Sequence, residues 1–371
     1  MTGDLTQDAR IVLTLDAGRT GLKFSAIRGG KLLAAPSSRP TDADDRERCL
    51  RNIVDGFQQL KQQLPEPPAA ISFAFPGPAD YPLGIISGLE NFEAFREPVP
   101  LGPMLEERFG VPVFINNDGD LFVYGEAIAG FLPYVNGLLE QSGNPKRYRN
   151  LFGVTIGTGF GAGIVRNGEL FIGDNSAGAE AWLLRNKLDY RVNAEEGASI
   201  RAVRRVYASI CGMPEQEAPE PRSIAEIATG EAPGNREAAE EAFRRLGEVA
   251  GDALAQALTL VDGLAVIGGG IAGAHPLFMP SLVRAMNATY DVGGNPLNRL
   301  VPVAFNIENS SQREAFLRGK TRTVEVPGSG RKIQYDPMRR TAVGISRLGT
   351  SEAVAVGAYA FALRELDARS G

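Results

Sequence analysis

Two α/β domains, each opening on a glycine-turned hairpin, form the fold class that this sequence predicts, and three observations carry the prediction. The chain runs to 371 residues, 43% of them apolar, which is enough for two separate cores. Gly18 and Gly29 stand eleven residues apart, and so do Gly157 and Gly168, so a hairpin of one size occurs twice. After each hairpin, strand-like runs alternate with amphipathic helical patterns, the order expected of mixed sheets flanked by helices.

Residues 11–15 read as the first strand, followed by the turn Asp16-Ala17-Gly18-Arg19-Thr20-Gly21 and a second strand over 22–27. Arg28-Gly29-Gly30-Lys31 turns the chain into a third strand over 32–35. Ile53, Phe57 and Leu60 recur at helical spacing and predict a helix over 44–64, stopped by the prolines of 65–68. A strand over 70–75 runs into Pro76-Gly77-Pro78, and a buried strand over 111–115 ends at Asn116-Asn117-Asp118. The pattern then restarts. Residues 152–156 are a strand, Gly157-Thr158-Gly159-Phe160-Gly161 is a glycine turn, and 162–165 lead to a tight hairpin at Asn167-Gly168. A long amphipathic helix over 242–261 contains Gly247 and Gly251, each costing about 1 kcal/mol unless a neighbour packs closely against it. A strand over 264–267, the turn Gly268-Gly269-Gly270 and a further helix follow. Residues 131–150 and the polar stretch 305–345 read as insertions, and an alanine-rich helix over 351–366 is expected to return to the first domain. The expected domains are 1–120 with 352–371, and 121–351.

The inventory of side chains narrows the chemistry. Net charge is −5 with acidic and basic residues interspersed, so neither nucleic acid nor an anionic membrane surface is an expected partner. A phosphorylated small ligand needs only a local nest of donors. Cys49 and Cys211 are the only cysteines and His275 the only histidine. That is too few for a disulfide framework, a structural zinc site or a Ser-His-Asp arrangement. Carboxylates and backbone amides must carry the chemistry. The first ten residues are polar and no run approaches the roughly 20 apolar residues of a membrane span, so a cytoplasmic protein is expected.

Converging N–H groups at a glycine turn hold phosphate well, because no Cβ blocks the approach. The turns at 16–21 and 157–161 both have this character, and a cleft with one on each side could grip the tail of ATP. Neither turn is followed by Gly-Lys-Ser/Thr, and a strand rather than a helix comes next, which excludes a Walker loop and a dinucleotide fingerprint. Asp16, at a strand end, either caps its turn or, beside a phosphate, holds the water shell of Mg²⁺. Asp118 stands at the mouth of a sheet, where open α/β folds bind ligands. It is placed either as a turn former or as the base that accepts a hydroxyl proton in phosphoryl transfer.

In order and spacing, these motifs resemble the ROK family of the actin-like (ribonuclease H-like) sugar-kinase superfamily. Asp16 to Thr20 matches the first phosphate motif, Phe75 to Pro78 the early sugar loop, Asn117-Asp118 the catalytic motif, Gly157 to Gly161 the second phosphate motif, and Gly268-Gly269-Gly270 the adenosine motif. The resemblance implies two actin-like domains with an interdomain cleft, ATP and Mg²⁺, and transfer of phosphate to a hexose hydroxyl. It implies Asp118 as base and Asp16, Gly18, Thr20, Gly157, Thr158, Gly159 and Gly268 to Gly270 around the nucleotide and its metal. It further implies Gly77, Asn117, Asp118, Glu180 and Glu195 around the sugar, with a homodimer as the assembly.

The chain also departs from the family pattern. Similar kinases carry Gly-Glu-x-Gly-His, where this chain has Glu180 followed by Trp182 and Leu183, without the histidine. The cysteine-rich zinc motif is replaced by Asn193-Ala194-Glu195-Glu196, so no zinc is expected. These departures leave the sugar open and give a second reading, a non-catalytic sugar sensor. A DNA-binding repressor is not expected, because the first strand begins about ten residues in.

Overall fold

The computed structural model describes residues 5–18, 21–33, 35–77, 79–89 and 92–370. It divides into two compact units. The first comprises the chain up to Ile128, Phe171–Gly178 and the chain from Ser351 on. The second comprises Ala129–Leu170 and Ala179–Thr350.

The first unit is built on a six-stranded sheet. Strand β1 (Val12–Ala17) pairs antiparallel with β2 (Gly21–Arg28), closing the first hairpin. On its other side β1 runs parallel to β3 (Ala70–Ala74), which runs parallel to β4 (Val113–Asn116). Helix α1 (Arg46–Gln62) starts where Asp45 accepts from the Arg48 N–H and buries Ile53, Phe57 and Leu60, the stripe that predicted it. Phe57 meets Phe24 edge-on at 5.1 Å between ring centroids. The third strand is shorter than expected, Lys31–Leu32, and a strand that the sequence did not suggest, Ser37–Pro40, pairs with β2. Ala34 lies outside the described residues. Helix α2 (Asp118–Ile128) follows β4 directly, which puts Asp118 at a strand end and a helix start at once.

The second unit repeats the plan. Strand β5 (Leu151–Ile156) pairs antiparallel with β6 (Phe160–Arg166) and parallel with β7 (Leu264–Gly268). Beyond β7 the sheet continues with Arg340–Ile345 and ends at Val303–Asn306, here β9 and β8. Helix α3 (Arg236–Val261) packs against α4 (His275–Met286) so closely that a Cβ on Gly247 would lie 2.2 Å from the Phe278 carbonyl oxygen. One on Gly251 would lie 2.2 Å from that of Leu282. Backbone contact of that kind offsets the helical cost of both glycines.

One expectation is corrected. Residues 305–345 are not a single insertion, because β8 and β9 at its two ends belong to the main sheet and β9 is buried along most of its length. Only the exposed hairpin of Arg322–Glu325 and Lys332–Tyr335 stands apart from the sheet. The β9 sequence reads as polar because it opens on Arg340 and Thr341, yet both are buried and partnered. Arg340 pairs with Asp336 at 2.6 Å, and the Thr341 hydroxyl donates to the Gly263 carbonyl at 2.6 Å.

Candidate active site

In the first unit, register gathers the predicted residues at one edge. Asp16 on β1 lies level with Ala74 on β3, which lies level with Asn116 on β4. Asp16 and the Asn117-Asp118 pair therefore project from the carboxyl ends of strands two places apart, roughly 10 Å at ordinary strand spacing. The first hairpin is closed by the Gly18 N–H donating to the Gly21 carbonyl at 3.0 Å and anchored by the buried Thr41 hydroxyl donating to the Gly18 carbonyl at 2.6 Å. Thr20, with Arg19, lies outside the described residues. Asp16 is exposed, and its carboxylate makes no ion pair or hydrogen bond among them.

Asn117 caps α2, its Oδ1 accepting from the Gly119 N–H at 2.8 Å. Its amide donates to the Tyr81 hydroxyl at 3.4 Å, and that hydroxyl donates to the Phe75 carbonyl at 2.9 Å. A Cβ on Gly77 would lie 2.9 Å from the same hydroxyl, so a larger residue there would have to displace it. Tyr81 thus ties Phe75, Gly77 and Asn117 together. Sequence reading missed it, because an isolated tyrosine near a Pro-Gly-Pro turn carries no motif. Pro78 lies outside the described residues.

Asp118 is open to solvent on one side and crowded by protein on the others. Desolvation by that crowding raises its pKa above the ordinary carboxylate value. The N–H groups of Gly119 and of Asp118 itself oppose the shift, and the negative charge of Asp16 adds to it. A carboxylate tuned upward at an accessible strand end is what a general base requires.

In the second unit, the Gly157 N–H donates to the Gly159 carbonyl at 2.9 Å and closes the second hairpin. The carbonyls of Gly157 and Thr158 accept from the Ile200 N–H at 2.8 Å and from Arg201 Nη1 at 3.4 Å. The N–H groups of Thr158 and Gly159 have no protein acceptor among the described residues. Carbonyls tied back and amides left unpaired make the turn a donor surface for an anion. The Gly268 to Gly270 turn lies beside it, since β7 runs parallel to β5 and a Cβ on Gly157 would come within 4.0 Å of the Gly270 nitrogen. Gly269 has a φ of 90° and its Cβ position is filled by Ile156, so no other residue fits that turn.

The carboxylates assigned to the sugar stand differently. Glu195 accepts from the Phe160 N–H at 3.0 Å and pairs with Arg201 at 2.9 Å, so it braces the second hairpin. Arg201 and Arg205, given no role from sequence, pair with Glu196 at 3.0 and 2.6 Å. Glu180 is exposed and accepts from the Trp182 indole N–H. Leu183 is exposed as well. Among the described residues, no three His, Cys, Asp or Glu side chains stand close enough to hold a metal ion. None of the described helices is long and apolar enough to cross a membrane. His275 opens α4, as a helix-start residue should.

The family model described as ROK family matches residues 12–312. A crystal structure titled glucokinase, from Parabacteroides distasonis, is 52% identical and superposes with a TM-score of 0.91, covering 97% of this chain and 99% of that one. The glucokinase of Thermotoga maritima is 26% identical over 170 residues, 46% of this chain and 49% of that protein. The DNA-binding transcriptional repressor Mlc of Escherichia coli is 29% identical over 158 residues, 42% of this chain and 36% of that protein. The chain thus spans about half the length, or less, of these two curated relatives.

Proposed function

Since the chain belongs to the ROK family, we propose that it transfers the γ-phosphoryl group of ATP to a hydroxyl of a hexose, with Asp118 as the general base. The hydroxyl gives its proton to the Asp118 carboxylate while its oxygen attacks the γ-phosphorus. The bond from that phosphorus to the β–γ bridging oxygen breaks, and ADP leaves. The unpaired amides of Thr158 and Gly159 serve as donors to phosphate oxygens, and the Gly268 to Gly270 turn receives the nucleotide. Asn117, held by Tyr81, orients a neighbouring sugar hydroxyl. Asp16 fits the role of holding the water shell of Mg²⁺, because its carboxylate is exposed and unengaged among the described residues. Bound there, the metal supplies charge neutralisation at the phosphates. Glucose is the sugar we propose, supported by the 52% identical structure titled glucokinase.

The observation that carries this reading is Asp118, raised in pKa at an accessible strand end beside Asn117. Sugar-dependent ADP release, measured over a panel of aldoses, ketoses and amino sugars, tests it. Glucose should support release, and a panel in which no sugar does would refute kinase activity. The base acts only when ionised, so kcat/KM should fall as pH drops through its raised pKa. The acid limb of the pH profile is therefore expected at a higher pH than an ordinary aspartate would give. A limb at or below the ordinary aspartate value would assign the base elsewhere.

A non-catalytic sugar-binding reading draws support from the match to a repressor and from Leu183 at the family histidine position. Titration calorimetry with Mg-ATP separates the two, since a sensor without a working nucleotide site gives no heat.

A further inference from the structure

We propose that a cavity at the opposite edge of the second unit's sheet binds a small, multiply charged, phosphate-bearing anion. The strands β5, β7, β8 and β9 run parallel, and the glycine turns described above lie at their carboxyl ends. The cavity, about 660 Å³ in volume, is lined by the segments that enter the amino ends of the same strands. That size suits a metabolite, within the range of roughly 300–1,000 Å³ for small-molecule sites.

Its lining is strongly cationic. Lys146, Arg147, Arg149, Arg299, Arg339 and Arg340 contribute, against Asp262 as the acidic residue among the lining side chains. Two of the cations are neutralised, Arg340 by Asp336 and Arg299 by Asp252 at 2.8 Å. The other four keep their charge. Arg149 and Arg339 are exposed, and their guanidinium groups make no ion pair or hydrogen bond among the described residues. Arg147 reaches Glu140 only at 4.0 Å and otherwise donates to carbonyls. The Lys146 ammonium donates to the Met338 carbonyl at 3.3 Å and lies 5.5 Å from the Tyr148 ring centre. Arg299, with a side chain only 12% exposed, keeps a buried Nε without a partner.

Asp262 and the carboxyl end of α3 oppose an anion, but they do not balance four uncompensated cations. Burial and the Arg340 charge lower the Lys146 pKa, and an anion in the cavity would relieve that repulsion. A concave basic site on a chain of net charge −5 favours a small anion over a nucleic acid, which the remaining surface would repel. Guanidinium groups hold phosphate oxygens through paired N–H donors, which sets the ligand class.

The test is titration calorimetry with inorganic tripolyphosphate and with inorganic phosphate, on the full chain and on the double variant Arg149→Glu, Arg339→Glu. Tripolyphosphate should bind the unaltered chain more tightly than phosphate does. The double variant should weaken that binding roughly tenfold or more. Its circular dichroism and its KM for ATP should stay unchanged, because neither arginine touches the glycine turns. The milder pair Arg149→Gln, Arg339→Gln should weaken binding in the same direction and guards against misfolding. Binding that survives both double variants would overturn the proposal. So would an unaltered chain whose sole response to tripolyphosphate is competition with ATP. Because binding is read directly, failure here leaves the kinase reading standing.

Discussion

Asp118→Asn is expected to lower kcat by about 10²–10⁴-fold while the sugar dissociation constant stays within about tenfold, the worth of one hydrogen bond. The substitution keeps the size of the side chain and an oxygen able to accept from the Gly119 N–H, now at 2.9 Å. Asn117 still caps α2 and still meets Tyr81, so the strand end keeps its shape. What is removed is the capacity to take a proton. Coupled measurement of ADP release gives kcat, and calorimetry gives sugar affinity. Unchanged kcat would remove Asp118 from the mechanism. A collapse of sugar affinity with kcat preserved would make it a binding residue instead.

The second large effect is on stability. Asp336→Ala should cost about 3–5 kcal/mol, the usual loss when one partner of a buried ion pair is removed. The Asp336 and Arg340 side chains are 1% and 0% exposed and 2.6 Å apart. Asp336 also accepts from the Asn144 amide at 2.9 Å and from the N–H groups of Lys320 and Met338 at 3.1 and 3.0 Å. Burial pushes its pKa up, but these donors and Arg340 outweigh burial and hold the carboxyl at about 2. A carboxylate with a depressed folded pKa stabilises fully above its unfolded pKa, and that contribution is lost as pH falls through about 2. Denaturant unfolding of the variant should therefore show both the loss near neutral pH and a shallower decline in acid. A variant as stable as the unaltered chain would show that the pair contributes little.

What could be read from the sequence follows from which features are local. The two hairpins were legible because glycine spacing is a backbone requirement visible in one stretch of chain. Asn117-Asp118 was legible because a buried strand pointed to it, and β4 with α2 places it at a sheet edge. Other features depend on partners far along the chain. Arg340 and Thr341 disguise β9 as a polar segment until Asp336 and Gly263 are seen to satisfy them. Tyr81 matters through Phe75, Gly77 and Asn117. The family resemblance implies Glu195 as a sugar ligand, and its contact with the Phe160 N–H, 35 residues away in the chain, is not visible in a local motif. Phe171–Gly178, grouped with the first unit although flanked by the second, gave no compositional sign of doing so.

A crystal structure of the chain with glucose and a non-hydrolysable ATP analogue tests the central claim most directly. The account predicts an Asp118 carboxylate oxygen about 2.6–3.2 Å from one sugar hydroxyl, with Asn117 bonded to a neighbouring hydroxyl. A sugar bound with no hydroxyl in reach of Asp118, or with another side chain holding the proton-acceptor position, would contradict it.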